Sequence, residues 1–234
     1  METSLGPRRV WVIFSQGRGS GCCGEGDEME DKIRRFAPIA GIAFIVLVLV
    51  GFAVEGSTPS VDDPAGEIMQ SYVDNDTNVI VASALSALGA AALVLFAADL
   101  SARMRDAGSR LLASVAFGGA IVSAAGVGVD AALRFVLADS AGKISPEAFQ
   151  GLFAAWNGFF WPIHLGIALL VVSASLAAID SKVLPVALSG LGIVAAVLLV
   201  IPVLAVTLIG LAGAAIWILI TSILALRQPR TASA

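Results

Sequence analysis

The longest apolar stretch of the chain, VLPVALSGLGIVAAVLLVIPVLAVTLIGLAGAAIWILITSILAL, occupies residues 183–226. It runs for about 44 positions without a charged residue, roughly twice the ~20 residues that one transmembrane helix needs to cross the hydrocarbon layer. Because Pro202 and Gly210 lie near its middle, we predict two helices, at about 183–202 and 208–226, joined by a short turn. The alternative is one long bent helix, which an ordinary bilayer would not accommodate.

Four more apolar segments of membrane-spanning length precede this block. Apolar residues make up 58% of the 234 positions and charged residues only 14%, which leaves too little polar surface to coat a water-soluble domain. The segments lie at about 36–54, 79–98, 111–138 and 151–179. We therefore predict an all-α, polytopic transmembrane bundle of six spans.

The basic residues separate into two sets across these six spans. One side of the predicted topology carries nine of them, and the loops on the opposite side carry Lys143 alone; the nine are Lys32, Arg34, Arg35, Arg103, Arg105, Arg110, Lys182, Arg227 and Arg230. By the positive-inside rule the basic side is cytoplasmic. This predicts a multi-pass protein with both termini in the cytoplasm.

Residues 1–28 differ from the rest of the chain, being rich in glycine, containing Cys22 and Cys23, and lacking hydrophobic periodicity. They are predicted to be either a disordered extension or sequence ahead of the true start at Met29. The six-helix domain then occupies 29–230, and 231–234 form a short tail.

The longest outer loop, 55–78, carries six acidic residues and no basic one. Asp63 before Pro64 is a helix-start pattern, and Ile68, Met69, Tyr72 and Val73 form one apolar stripe. The loop is therefore predicted to contain a short amphipathic helix. Its acidity indicates either a solvated face or a cation-attracting vestibule.

Four polar residues at or near membrane depth are the candidate site, since ionisable groups there are costly and often functional. Asp130 and Arg134 are four positions apart and can pair on one helix face. Asn157 and His164 are seven apart and would share a face of the fourth span. One interpretation places all four in an outward-opening cavity, with His164 as a proton acceptor or ligand and Arg134 as an anion clamp.

The other interpretation gives the same region a structural role. Trp156 and Trp161 would belong to the aromatic belt at the membrane surface. Asn157 would join two helices by a hydrogen bond, and His164 would be a satisfied bundle residue.

Several kinds of chemistry are excluded by the ligands available. A single histidine and the absence of cysteine from the spans rule out an ordinary zinc site or bis-histidine haem. The scattered basic residues provide no face for nucleic acid. We therefore predict no metal, no cofactor and no nucleic-acid partner, and the expected partners are the lipid bilayer and either another membrane protein or a second copy of the chain.

Several short motifs resemble those of a group of uncharacterised multi-pass membrane proteins from high-GC Gram-positive bacteria. The likeness covers about 29–230 and rests on the following stretches: RRFAPIAG at 34–41, STP at 57–59, YVDN at 72–75, ASVAFGG at 113–119, Pro185 and LG at 191–192. It implies a six-helix bundle in a bacterial plasma membrane and brings no activity with it.

Three functions remain open on the sequence. The first is an accessory, scaffold-type or lipid- or small-molecule-binding bundle without catalysis. The second is a transporter or channel with an outward-facing polar cavity. The third is an intramembrane enzyme that modifies lipids.

Overall fold

The computed structural model describes residues 25–181, 185–201 and 203–227. It describes the side chains of all these residues except 25–35, 181 and 204. These residues form eight helices and no strand. The helices are α1 Glu25–Glu55, α2 Ala65–Asp74, α3 Asp76–Asp106, α4 Arg110–Ser140, α5 Pro146–Asn157, α6 Trp161–Ser181, α7 Val186–Leu199 and α8 Leu204–Arg227. The all-α prediction is confirmed.

Five stretches are long and apolar enough to cross a membrane: Phe36–Glu55, Asp76–Asp106, Arg110–Ser140, Pro146–Asp180 and Ala205–Arg227. The sixth apolar helix, α7, has 14 residues and so rises about 21 Å. Large apolar side chains such as Leu49, Leu95 and Ile209 are exposed on the outer surface of the bundle, as expected for helices that face lipid. The chain has the architecture of a multi-pass membrane protein.

The six apolar helices pack as a ring in chain order. Helix α1 packs against α3, α3 against α4, α4 against α6, α6 against α7, and α7 against α8, which closes the ring on α1. Helix α6 also contacts α3 and α8, so it packs against four of the other five apolar helices. The core of the bundle is rich in alanine and surrounds one large, fully buried ring, that of Trp217. Small residues such as alanine allow helices to approach one another closely.

Helices α4 and α6 cross with their backbones close together. A methyl group added at Gly119 would lie 2.7 Å from the carbonyl oxygen of Gly166, whereas one added at the neighbouring Gly118 would meet nothing. Only glycine at 119 and 166 permits this backbone approach. The glycine-rich part of the third predicted span is thus a packing surface.

A second, smaller core lies at one end of the bundle, where α2 and α5 pack together over α3 and α4. We call α2 with α5 the cap and this end the capped end. Its core includes Ile68, Tyr72, Phe149 and Phe153, with Leu137 from α4. The amphipathic helix predicted for loop 55–78 is confirmed as α2, and Ile68 and Tyr72 of its stripe are buried.

Three details of the prediction were wrong. Asp63 does not cap α2, because its carboxylate accepts from the backbone N–H of Ser60 at 2.8 Å. The predicted span 151–179 is not one helix, because Gly158–Phe160 form a turn between α5 and α6. Gly210 lies inside α8 rather than in a turn, packed closely against Leu199.

Helix α7 ends at Leu199 and α8 begins at Leu204, with Val200 and Ile201 outside both helices, so the long bent helix is excluded. The hydroxyl of Thr207 donates toward the carbonyl oxygens of Ile201 and Val203, at 2.9 and 3.1 Å. Backbone groups must be satisfied where water is scarce, and Thr207 does this for the turn. The predicted extension 1–28 lies outside the described residues apart from its last four, which begin α1, and 228–234 also lie outside them.

Candidate functional site

An ionic cluster built around Arg134 lies at the capped end. The Nε of Arg134 lies 3.0 Å from Oδ2 of Asp130, one turn earlier on α4, as an ion pair without hydrogen-bond geometry. One terminal nitrogen of the same guanidinium donates to Oε2 of Glu55, the last residue of α1. The side chains of Arg134, Glu55 and Asp130 are only 11%, 7% and 16% exposed. The spacing prediction that Asp130 and Arg134 can pair is thus met in the structure.

Trp156 of α5 covers this cluster from the cap. Its indole N–H donates to Oδ1 of Asp130 at 2.8 Å. The Cζ atom of Arg134 lies 5.1 Å from the centroid of the Trp156 ring, within the range of a cation–π interaction. Trp156 is buried, so it holds α5 to α4 instead of facing a lipid surface as an aromatic-belt residue would.

Tyr72 brings α2 to the same place. Its ring packs edge-on against Phe149 and Phe153, with centroids 5.4 and 5.9 Å apart. Its hydroxyl is buried and has no hydrogen-bond partner in the described part of the chain. Burial, and then the negative charge of Glu55, raise the pKa of Tyr72 well above its ordinary value, so the hydroxyl stays neutral at physiological pH.

The other two predicted site residues lie elsewhere. Asn157 is the exposed last residue of α5, and the turn that follows removes the unbroken helix that would place Asn157 and His164 on one face. His164 lies in the first turn of α6, half-buried, with its ring edge-on to Phe160 at 5.3 Å. Within the described residues neither side chain forms a hydrogen bond or ion pair with Asp130 or Arg134. The other predicted belt residue, Trp161, is exposed and stacks on Phe160, so its belt role stays a prediction.

Sequence reasoning missed Glu55 and Tyr72 as members of the cluster. In the sequence Glu55 belongs with the acids of loop 55–78, although it is the last residue of α1 in the structure. Tyr72 belongs to the apolar stripe of α2, where its ring does pack. No sequence signal joins Glu55 to Arg134, since the two are 79 positions apart.

Three larger cavities in the described part of the chain have apolar linings. One, of about 220 Å³, lies between α1 and α8 and is walled by Val48, Phe52, Leu208 and Ala212, with Ile167 of α6 among its lining residues. We call it the α1–α8 groove. The other two, of about 480 and 440 Å³, adjoin each other beside α6 and α7 and share Leu165 and Val200.

The chemistry available at these places is limited. Among the described residues no three His, Cys, Asp or Glu side chains come together as a group that could hold a metal ion. The charges of the cluster are engaged with one another, and the cavities away from it are lined by hydrocarbon. The arrangement is suited to binding and to holding helices together.

These features define a class of protein: an apolar helical bundle of the multi-pass membrane type, with a packed cap and an ionic cluster at one end. No protein-family profile, curated protein or solved structure matches this chain.

Proposed function

We propose that the chain crosses a bacterial plasma membrane six times, with both termini in the cytoplasm, and that it acts as a lipid-binding bundle without catalysis. The six-span topology is supported by the closed ring, in which α7 packs against α6 and α8 as a full member. The orientation is supported by the distribution of basic residues. A bacterial plasma membrane is what the proposed resemblance of residues 29–230 to multi-pass proteins of high-GC Gram-positive bacteria implies.

The observation that carries the proposal is the α1–α8 groove. Four buried side chains belong to its lining, Phe44, Ile167, Ala214 and Ile218, so it reaches into the core of the bundle. The adjoining cavities beside α6 and α7 are larger but have fewer buried residues in their walls. The groove is thus the deepest lateral recess among the three.

The size of the groove indicates an acyl chain as its occupant. A volume of about 220 Å³ exceeds the ~150 Å³ of an apolar protein cavity that holds benzene. This volume is too small to hold a helix, whose diameter with side chains is about 10–12 Å. A hydrocarbon chain that enters from the bilayer is larger than benzene and much smaller than a helix, so it agrees with both comparisons.

A scaffold role beside a partner protein uses the outer faces of the helices and is compatible with this proposal. Transport through a polar cavity has less support, because Asp130 and Arg134 pair with each other and the exposed Asn157 forms no hydrogen bond with them in the described part of the chain. An intramembrane enzyme has less support still, since the groove is lined by hydrocarbon side chains.

The test is photo-crosslinking of the purified full chain in detergent, with phosphatidylglycerol that carries a diazirine in its acyl chain. We expect saturable crosslinks within 48–52 of α1 and 208–215 of α8, competed by unlabelled phosphatidylglycerol. Ile216 provides an internal reference, because it is exposed on α8 and does not line the groove.

A matched pair of variants sharpens the test. Ala212→Phe adds a ring to the groove wall and is expected to reduce groove crosslinking to the level at Ile216. Ile216→Phe, one turn away on the outer surface, is expected to leave it unchanged. Crosslinks in the groove no stronger than at Ile216 in the unaltered chain, or an undiminished yield in Ala212→Phe, would contradict lipid binding there.

A further inference from the structure

Helices α1 and α8 touch closely in the half of the bundle away from the cap. Gly41, early in the apolar part of α1, lies against Ser222, near the end of α8. A methyl group added at Gly41 would overlap the hydroxyl oxygen of Ser222 and lie 2.7 Å from Cδ2 of Phe96 on α3. The two helices are thus antiparallel, and at this level only glycine permits their approach, which leaves no room for a lipid chain between them.

The α1–α8 groove begins beyond this contact and lies mainly in the capped half of the bundle. On α1 its lining residues fall within 44–52 of the span Phe36–Glu55, about 12–24 Å from the uncapped end of that span at the rise of an α-helix. On α8 they fall within 208–218 of the span Ala205–Arg227, about 14–29 Å from its uncapped end. The hydrocarbon layer is about 30 Å thick, so both helices place most of the groove in the leaflet next to the cap.

The exposure of the lining side chains changes along the groove in the same direction. Phe52 and Leu208, nearest the capped end, are 53% and 56% exposed. Phe44 and Ile218, at the other end of the lining, are 7% and 1% exposed. The groove is therefore open near the cap and closed by core side chains at its inner end. A chain that enters from the capped side points its leading end at Phe44 and Ile218.

We infer that the groove takes an acyl chain from a lipid of the leaflet next to the cap, which is the outer leaflet in the proposed orientation. The carboxyl end of the chain lies beside Phe52 and Leu208, and its methyl end lies beside Phe44 and Ile218. Lipids of the opposite leaflet are kept out by the contact of α1 with α8 at Gly41. The inference rests on the proposed lipid binding and adds the leaflet that supplies the ligand and the direction in which the chain lies.

The experiment uses the purified full chain in vesicles of phosphatidylethanolamine and phosphatidylglycerol, with one of two photoactivatable phosphatidylglycerols. One probe carries its diazirine near the carboxyl end of an acyl chain, and the other carries it near the methyl end. We expect the first probe to label Phe52 and Leu208 and the second to label Phe44 and Ile218, as located by peptide mass spectrometry. A lipid of the opposite leaflet would give the reverse order, whichever way the chain is inserted in the vesicle.

Ala215→Leu adds apolar volume to the inner part of the groove, which Ala215 lines. Labelling by the methyl-end probe is expected to fall to the level at Ile216, while the carboxyl-end probe continues to label Phe52 and Leu208. Ala205→Leu is the matched control, because Ala205 is exposed on α8 and does not line the groove, and it is expected to leave both patterns unchanged. Melting temperatures establish that both variants fold, and the order of labelling in the unaltered chain tests the inference without them.

Three results would overturn the inference while groove crosslinking stays saturable: the reverse order of labelling, equal labelling of both ends by both probes, or undiminished methyl-end labelling in a folded Ala215→Leu variant. Loss of saturable groove crosslinking with both probes would contradict the proposed lipid binding itself. Failure of the leaflet assignment and failure of lipid binding are therefore distinguishable, because the first concerns the order of labelling and the second its presence.

Discussion

Replacement of Arg134 by methionine isolates the contribution of the ionic cluster to stability. Among the described side chains, Arg134 is the base that pairs with both Glu55 and Asp130, so Arg134→Met leaves two largely buried carboxylates without this partner. Breaking a buried ion pair from one side costs about 3–5 kcal/mol. At about 2–4 °C per kcal/mol for a chain of this size, the melting temperature is expected to fall by roughly 6–20 °C.

The assay is thermal unfolding of the purified protein, followed by tryptophan fluorescence and by the fraction that remains monodisperse after heating. Lys143→Met is the control, because Lys143 forms the same kind of i,i+4 pair with Asp139 but both side chains are about two-thirds exposed. Exposed pairs contribute little, so its melting temperature is expected to stay close to that of the unaltered chain.

A second substitution tests the mechanism. The double variant Glu55→Gln with Arg134→Met removes one of the two carboxylates left without a partner, so part of the lost stability is expected to return. A melting temperature for Arg134→Met within about 2 °C of the Lys143→Met value, which is about 0.5–1 kcal/mol on the same scale, would refute the reasoning. The reasoning would also be refuted if adding Glu55→Gln to Arg134→Met lowered the melting temperature further, by as much as Glu55→Gln lowers it in the otherwise unaltered chain.

Three further predictions concern single positions. Tyr72 is the only tyrosine of the chain, so tyrosinate absorbance reports on it alone. Because the pKa of Tyr72 is raised in the folded protein, we expect no tyrosinate signal from the folded protein at pH 11. The free energy of unfolding is expected to be full below about pH 10 and to fall above it. A tyrosinate signal at pH 11 before unfolding would contradict the burial of this hydroxyl. Gly119→Ala is expected to lower the free energy of unfolding by about 1–3 kcal/mol, because the added methyl group is overpacked against Gly166. The methyl group of Gly118→Ala meets open space, so this variant is expected to be neutral or stabilising. Equal melting temperatures for the two variants would refute the close crossing. Ser145→Ala removes the hydroxyl that accepts from the N–H of Ala148 at the start of α5 and is expected to cost about 1 kcal/mol, measured as a melting shift of a few degrees; no shift would show that this cap is not formed.

The apolar helices were predictable because the signal is local: a run of about 20 uncharged residues is sufficient to identify each one. The cap was only half predictable. Helix α2 is bounded by polar residues and has an apolar stripe of its own, but α5 continues without a charged residue into α6. The helix-start pattern of Ser145 and Pro146, and the second start at Trp161 and Pro162, are the signals that divide this segment.

The candidate site was also predictable only in part. Asp130 and Arg134 were predictable as a pair because their spacing of four is fixed by the α-helix. The partnership of Arg134 with Glu55 and of Asp130 with Trp156 depends on which helices are neighbours and on how their ends align, and no local pattern encodes that. The proposed grouping with Asn157 and His164 assumed an unbroken helix, and the turn at 158–160 removes the shared face.

The last turn of α1 connects the α1–α8 groove with the ionic cluster. Phe52 lines the groove, and Glu55, three residues later on the same side of the helix, pairs with Arg134 of α4. Helix α1 contacts α8 less extensively than it contacts α3, so its contact with α8 is the weaker of the two. A perturbation that releases Glu55 should therefore widen the groove as well as lower stability. A perturbation at the α4–α6 crossing, such as Gly119→Ala, should lower stability without widening the groove.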